Sequence, residues 1–159
     1  MQSVKSVLTP IDFSHNADTI LRAAIFVAKT FQAELHIVFV VQNFEDYSGF
    51  FVPPVHLPNL EEELYASAQQ QMDAFIADHK HLCEEAGVSF VSRVLAGDVG
   101  EEVVRYAGEK GIQLIVMGTH GYKGLERIMF GSVAEKIVKT APCPVLTLNP
   151  YRDRGEVKD

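Results

Sequence analysis

Short apolar runs alternate with longer amphipathic stretches along this chain. The run ELHIVFVV at 34–41 is nearly continuous and rich in β-branched residues, as in a strand buried on both faces of a sheet. The segment 16–31 instead repeats apolar residues at spacings of three and four, as on one face of a helix. The pattern predicts strands at 4–11, 34–41, 89–95, 114–117 and 145–148, and helices at 16–31, 60–86, 100–109 and 132–140.

Capping residues support several of the helix boundaries. Ser14 or Asn16 is placed to cap the first turn of the first helix. Asp98 and Glu101 have the spacing of a capping box before the third helix, and Gly87 is placed to end the second. The apolar face of that second helix is predicted to comprise Leu64, Ala68, Met72, Phe75, His79, Leu82, Cys83 and Ala86.

This order of elements limits both the fold and the place of a ligand. Strands that alternate with helices predict a mostly parallel sheet with helices on both faces. Right-handed crossovers then give an open, doubly wound α/β fold. In such folds ligands bind beyond the carboxyl ends of the strands, where the strand order reverses. Candidate functional residues are therefore sought just after each predicted strand.

The length and the cysteine content favour one domain without covalent staples. The chain has 159 residues, of which 47% are hydrophobic, enough for one domain with its own core. We expect that domain at residues 1–150, followed by a polar tail at 151–159. Cys83 and Cys143 form no CxxC pair, so nothing in their spacing indicates zinc or thioredoxin-type chemistry. We expect both thiols to be reduced and buried.

The charge balance argues against a nucleic-acid partner. The formal net charge is -7, whereas a phosphate backbone requires a basic face. One bound nucleotide is compatible with this charge, because backbone amides and one or two local cations can hold its phosphates. The first ten residues carry a single lysine and no long apolar stretch, and no segment has the length of a membrane span. We expect a cytoplasmic protein with no membrane partner.

Glycines cluster after the fourth predicted strand. Gly118 is followed after two residues by Gly121, and nine residues later Gly131 and Ser132 open a predicted helix. Glycines allow positive φ or the close approach of another group to the backbone. The helix start offers amides without intrahelical partners and the positive end of the helix dipole. These two features predict a phosphate-binding loop.

Side chains inside this loop supply positive charge that the chain as a whole lacks. Lys123 and Arg127 are candidate phosphate-binding cations. Thr119 and His120 lie between the first two glycines, and we interpret His120 as a loop residue near the phosphates rather than as a catalyst. Ser132 has a structural alternative, because the S-V-A-E sequence that it begins also has the form of a capping box.

These features together resemble the universal stress protein family, and the resemblance runs over residues 4–148. Nucleotide-binding members carry the motif G-x2-G-x9-G-S/T, which the three glycines and the serine match without gaps. The segment 131–146 is similar to the family's usual ending, and the PIDFS sequence that begins at Pro10 is similar to its opening.

The resemblance implies which residues contact the nucleotide. Asp12 corresponds to an acidic residue near the ribose and adenine, with Pro10 beside it. Val40 corresponds to a position whose backbone reads the adenine edge, and Gly97 to a glycine against the ribose and phosphates. The full predicted set is Pro10, Asp12, Val40, Gly97, Gly118, Thr119, His120, Gly121, Lys123, Arg127, Gly131, Ser132 and Val133.

Fold, cofactor and assembly follow from the same resemblance. It implies a Rossmann-like sheet of five parallel strands in the order 3-2-1-4-5. The implied ligand is ATP or a related adenine nucleotide, with Mg²⁺ held mainly by the phosphates. The family tends to form homodimers through its last strand, here Val145–Leu148. Pro142 and Pro144 suit the start of an exposed edge strand.

Three functional readings stay open at this point. The first is a nucleotide-binding regulatory module of the stress response. The second is a slow ATPase or phosphotransferase, for which Asp12, His120 and Arg127 are the candidate groups. The chain has no Walker A pattern, and we assign no second acid to hold Mg²⁺ with Asp12, so efficient turnover is not expected and no catalytic residue is assigned. The third is a dimeric scaffold that binds no nucleotide, although such a protein would be expected to have a damaged glycine motif.

We assign no chemical role to the other sequence features. A Rossmann dehydrogenase needs G-x-G-x-x-G after its first strand, which is missing here. The histidines form no spaced set that indicates a metal site, and Tyr106 and Tyr122 are expected at the surface or at its rim. The aromatic segment 42–59 is long for a connection and is either a lid or contact surface, or a cover for the sheet edge.

Overall fold

Five parallel strands form one sheet in the order β3-β2-β1-β4-β5, as the resemblance implied. The computed structural model describes residues 3–42, 59–119 and 131–150. Its elements are β1 Ser6–Pro10, α1 Ala17–Phe31, β2 Glu34–Val41, α2 Leu60–Ala86, β3 Phe90–Ala96, α3 Val99–Lys110, β4 Leu114–Gly118, α4 Ser132–Thr140 and β5 Val145–Leu148. The predicted bounds of β2, α2, α4 and β5 match these, and the other elements differ by one or two residues at an end.

The two sides of the sheet carry different helices. Alternate residues of a strand face opposite sides, so Val7 and Leu8 enter different cores. Val7 packs with α1 and α2, whereas Leu8 packs with α3 and α4. Val7 and Leu8 are both fully buried, as are Ile37 and Val38 on β2. The continuous apolar runs of the central strands are explained by this burial on both faces.

The caps of α2 and α3 are as predicted, whereas the start of α1 lacks the predicted side-chain capping hydrogen bond. The Asp98 carboxylate accepts a hydrogen bond from the Glu101 amide at 2.9 Å and caps α3. Gly87 ends α2 in the left-handed conformation at φ 69°. Asn16 is the N-cap residue of α1, but its side chain makes no capping hydrogen bond, and among the residues that the structure describes its buried Nδ2 has no hydrogen-bond partner. Ser14 accepts a hydrogen bond from the Asn16 amide, at 3.3 Å, instead of capping the helix with its side chain.

Tyr106 is not a surface residue, in contrast to the prediction. It is 4% exposed on α3, and its hydroxyl lies 2.9 Å from His36 Nδ1 on β2. His36 Nε2 lies 3.1 Å from a Glu34 carboxylate oxygen, so Nε2 carries the proton and Nδ1 accepts from the tyrosine. Burial lowers the pKa of His36 despite this carboxylate. The tyrosine is buried because its one polar atom has a partner 70 residues away.

The predicted burial of Leu64 and of the two cysteines is confirmed only in part. Leu64 is 37% exposed, although it was assigned to the buried face of α2. Cys83 is buried as expected, but Cys143 is only half-buried. Both thiols are free, and burial raises the pKa of each.

None of the helices that the structure describes combines the length and apolar character needed to cross a membrane. Most of the segment 42–59, the tail 151–159 and Tyr122 lie outside the described residues.

Candidate functional site at the carboxyl edge of the sheet

The strand order reverses between β1 and β4. From β1 the chain builds outward through β2 and β3 on one side, and then through β4 and β5 on the other. Connections on opposite faces leave a crevice beyond the carboxyl ends of the two central strands. Asp12 lies two residues after the end of β1, and Gly118 is the last residue of β4. Two residues predicted from separate parts of the sequence therefore lie at one switch point.

The turn after β1 is held by one carboxylate oxygen and one aromatic ring. Asp12 Oδ1 accepts a hydrogen bond from the Ser14 amide at 3.0 Å, while Oδ2 accepts none from any residue that the structure describes. Phe13 has a φ of 57°, which is unusual for a residue with a side chain. Its ring packs 4.4 Å from that of Phe39 and 5.8 Å from that of Phe75. The packing of Phe13 thus stabilises a turn that leaves half of the Asp12 carboxylate available.

The backbone of Val40 faces the same crevice. The pairing of β2 with β1 ends at Val38, whereas its pairing with β3 continues to Val41. The Val38 carbonyl accepts from Ile11 on the β1 side, and the Val41 carbonyl accepts from Gly97 on the β3 side. Backbone groups alternate in direction along a strand, so those of Val40 point toward β1, which has already turned away. This position leaves them available to a flat polar ligand.

Gly97 needs to be glycine for a conformational reason. Its φ is 144°, and its amide donates to the Val41 carbonyl at 2.9 Å. A Cβ here would also lie 2.8 Å from Cγ of Glu102, whose carboxylate pairs with Arg105. The glutamate side chain can shift, whereas the backbone conformation itself disfavours a side chain. The loop after β3 therefore keeps bare backbone at the edge of the crevice.

Helix α4 presents its amino terminus beside the end of β4. Gly131 is the N-cap residue, its amide donates to the Thr119 carbonyl at 3.3 Å, and its carbonyl accepts from Glu135 at 3.0 Å. The amides of Ser132 and Val133 therefore precede the first helical hydrogen bond. A Cβ on Gly131 would lie 3.5 Å from the Thr119 carbonyl oxygen, an ordinary contact. The described protein contacts therefore do not require glycine at this position.

Comparison with known proteins identifies the chain. The family model described as the universal stress protein family matches residues 3–149. This chain belongs to the universal stress protein family. It is 38% identical over 145 residues to a universal stress protein of Methanocaldococcus jannaschii, covering 91% of this chain and 81% of that protein. The structure of universal stress protein UspA from Lactobacillus plantarum superposes with a TM-score of 0.79 at 25% identity, covering 94% of this chain and 100% of the other.

Two structures with this fold contain nucleotides. One is a universal stress protein in complex with cAMP, with a TM-score of 0.67, 20% identity and coverage of 94% and 99%. The other is the universal stress protein from Archaeoglobus fulgidus in complex with dAMP, with a TM-score of 0.63, 19% identity and coverage of 92% and 98%. At these identities the likeness to our chain is one of fold.

In this universal stress protein the described residues contain only part of the predicted site. Pro10, Asp12, Val40, Gly97, Gly118, Thr119, Gly131, Ser132 and Val133 lie at or next to the carboxyl edge. His120, Gly121, Lys123 and Arg127 lie outside the described residues. The capping-box alternative for Ser132 is wrong, because Gly131 is the N-cap and the Glu135 carboxylate pairs with Lys139 at 2.5 Å. Thr119 donates from its amide to Leu148 on β5 at 2.9 Å.

A charged group that the sequence reasoning missed lies beside this edge. Lys136 on α4 donates to Asp98 Oδ1 at 3.0 Å and to Glu101 Oε1 at 3.1 Å. The hydrogen bond from the Glu101 amide, followed by the lysine, lowers the pKa of Asp98, and these carboxylates raise the pKa of Lys136. No group of three or more metal-ligating side chains occurs within residues 3–42, 59–119 and 131–150.

Proposed function

We propose that this universal stress protein binds an adenine nucleotide, with ATP as the expected ligand, in the crevice between β1 and β4. The observation that carries the proposal is the placement, at the carboxyl edge of the sheet, of three groups that are incompletely paired among the described residues. These are the Asp12 carboxylate, the β1-facing backbone of Val40 and the first amides of α4. Each suits a different part of a nucleotide.

The proposed assignments follow from the chemistry of these groups. The Val40 backbone carries one donor and one acceptor, which complements the edge of adenine. The free Asp12 oxygen accepts hydrogen bonds from ribose hydroxyls. The amides of Ser132 and Val133 at the helix start bind phosphate oxygens, and the bare backbone at Gly97 and Gly118 allows close approach.

A regulatory role is favoured over enzymatic turnover. Asp98 and Glu101 beside α4 are both bound by Lys136, and Glu135 in the first turn of α4 pairs with Lys139. The described residues also hold no group of three or more side chains that could bind a metal ion. In our proposal Mg²⁺ is held mainly by the nucleotide phosphates, hydrolysis is slow or does not occur, and binding biases a partner surface in the stress response.

We also propose a homodimer formed through β5. This strand pairs with β4 on one side and forms the edge of the described sheet. Leu146 is 46% exposed on it, and Val138 on the neighbouring helix is equally exposed. Edge strands with exposed apolar residues are prone to pair with another chain, and a two-fold axis would satisfy both edges at once.

Calorimetric titration of nucleotide-free protein with ATP and Mg²⁺ tests the proposal, with phosphate release followed in the same sample. We expect saturable 1:1 binding per chain with little release, and GTP serves as the control for recognition of the base. Steady phosphate release would replace the regulatory role with an enzymatic one. Failure to bind any adenine nucleotide would refute the proposed function and leave the scaffold reading.

A further inference from the structure

We propose that Lys136 is a positioning residue that holds the loop after β3 against helix α4, and so sets the distance between two walls of the nucleotide site. The inference rests on the proposed function, because these walls contain Gly97 and the amides of Ser132 and Val133. Lys136 itself lies one helical turn beyond Ser132. It is therefore near the site without being one of its predicted contacts.

The contacts of Lys136 join two elements that are far apart in the sequence. Its ammonium donates to Asp98 at 3.0 Å and to Glu101 at 3.1 Å, across separations of 38 and 35 residues. Asp98 immediately follows Gly97, and the same Asp98 oxygen accepts the hydrogen bond from the Glu101 amide that caps α3. The lysine thus binds the cap of α3, and through it the bare backbone at Gly97.

The aliphatic part of the same side chain is held by packing. Gly100 is buried in the first turn of α3, and a Cβ built on it would lie 2.8 Å from Cδ of Lys136 and 3.3 Å from its Cγ. The lysine stem therefore crosses the helix where no side chain is present. This explains a glycine within a helix, which otherwise costs stability relative to alanine. Gly108 in the same helix has open space around the corresponding position.

The electrostatic part of the contact is modest because it is exposed. The side chains of Lys136, Asp98 and Glu101 are 41%, 46% and 69% exposed. Exposed pairs are weak individually and are screened by salt. What the lysine provides is geometric, since one cation on a packed stem joins two carboxylates of the opposite element. We therefore expect an effect on ligand affinity rather than on whether the protein folds.

Nucleotide titrations of four variants test this role. Lys136→Met keeps the packed stem and removes the charge, and it should weaken ATP binding by about threefold to tenfold at low salt, the range that two exposed ion pairs provide. Lys136→Arg keeps a cation on a methylene stem and should therefore weaken binding less than Lys136→Met does. Gly100→Ala should weaken binding by displacing the stem, and the matched Gly108→Ala should leave it unchanged.

Amide hydrogen exchange in the nucleotide-free protein tests the contact independently. The Glu101 amide, which donates to Asp98, should exchange faster in Lys136→Met and Gly100→Ala, but not in Lys136→Arg or Gly108→Ala. Unchanged exchange at Glu101, or faster exchange without weaker ATP binding, would overturn the inference. If the natural protein binds no nucleotide, the proposed function fails, and with it the positioning role, whereas the exchange result still reports whether the contact exists.

Discussion

Replacing Gly131 with valine should remove nucleotide binding while leaving the fold in place. The backbone of Gly131 has φ -60° and ψ 150°, a region that valine adopts readily. A Cβ at this position makes an ordinary contact of 3.5 Å with the Thr119 carbonyl, so it points into the gap between the end of β4 and the first turn of α4. That gap is where the proposed phosphates bind.

The substitution should have a small effect on the stability of the fold and a large effect on the affinity for ATP. The loss of glycine at an N-cap costs about 1 kcal/mol of stability, because valine is a poor N-cap residue. The ligand loses its hydrogen bonds to the amides of Ser132 and Val133, and each bond to a charged acceptor contributes about 1.5–3 kcal/mol. Affinity for ATP should therefore fall by a factor of about 100 or more.

The assay combines calorimetric titration with thermal unfolding of the same samples. Gly108→Val is the matched control, since it makes the same chemical change on α3 where open space surrounds the new Cβ. The control should lose some helix stability and retain ATP affinity. If Gly131→Val binds ATP within about threefold of the natural protein while remaining folded, the phosphates do not occupy this gap and the site assignment is wrong.

Three further predictions concern stability and assembly. Thr9→Val should raise the free energy of unfolding by about 1 kcal/mol, seen as a higher midpoint in urea, because the Thr9 hydroxyl is fully buried without a hydrogen bond to any residue that the structure describes; a lower midpoint would contradict this. Burial lowers the pKa of folded His36 below its ordinary value of 6.5, so the unfolded chain binds more protons just below that pH. The free energy of unfolding should therefore decrease as pH falls through about 6.5, and this slope should be weaker in His36→Gln. Leu146→Asp should shift the protein from dimer to monomer in light scattering, and a monomeric natural protein would refute the β5 interface.

Local patterns in the sequence were sufficient to predict the helices and strands. The bounds of β2 and α4 were predicted to the residue, because burial on both faces and helical periodicity are properties of consecutive residues. The same holds for the cap at Asp98, whose partner is three residues away. The glycine spacing indicated a phosphate loop for a similar reason, since it depends on backbone conformation next to one strand end.

Tertiary structure decided the contacts between distant residues. From the sequence alone, Tyr106 is indistinguishable from a surface tyrosine. The packing of α3 on the sheet brings its hydroxyl to His36. From the sequence alone, Lys136 is indistinguishable from a solvated lysine. The strand order places α4 beside α3, where the lysine binds Asp98 and its stem packs over Gly100, which has no side chain. Ser132 has the local form of a cap, yet in the folded chain Gly131 is the N-cap residue of α4, with its amide bound to the Thr119 carbonyl. Sequence periodicity determines which face of an element is buried, whereas the order of strands in the sheet determines what that face meets, and only the folded chain contains that order.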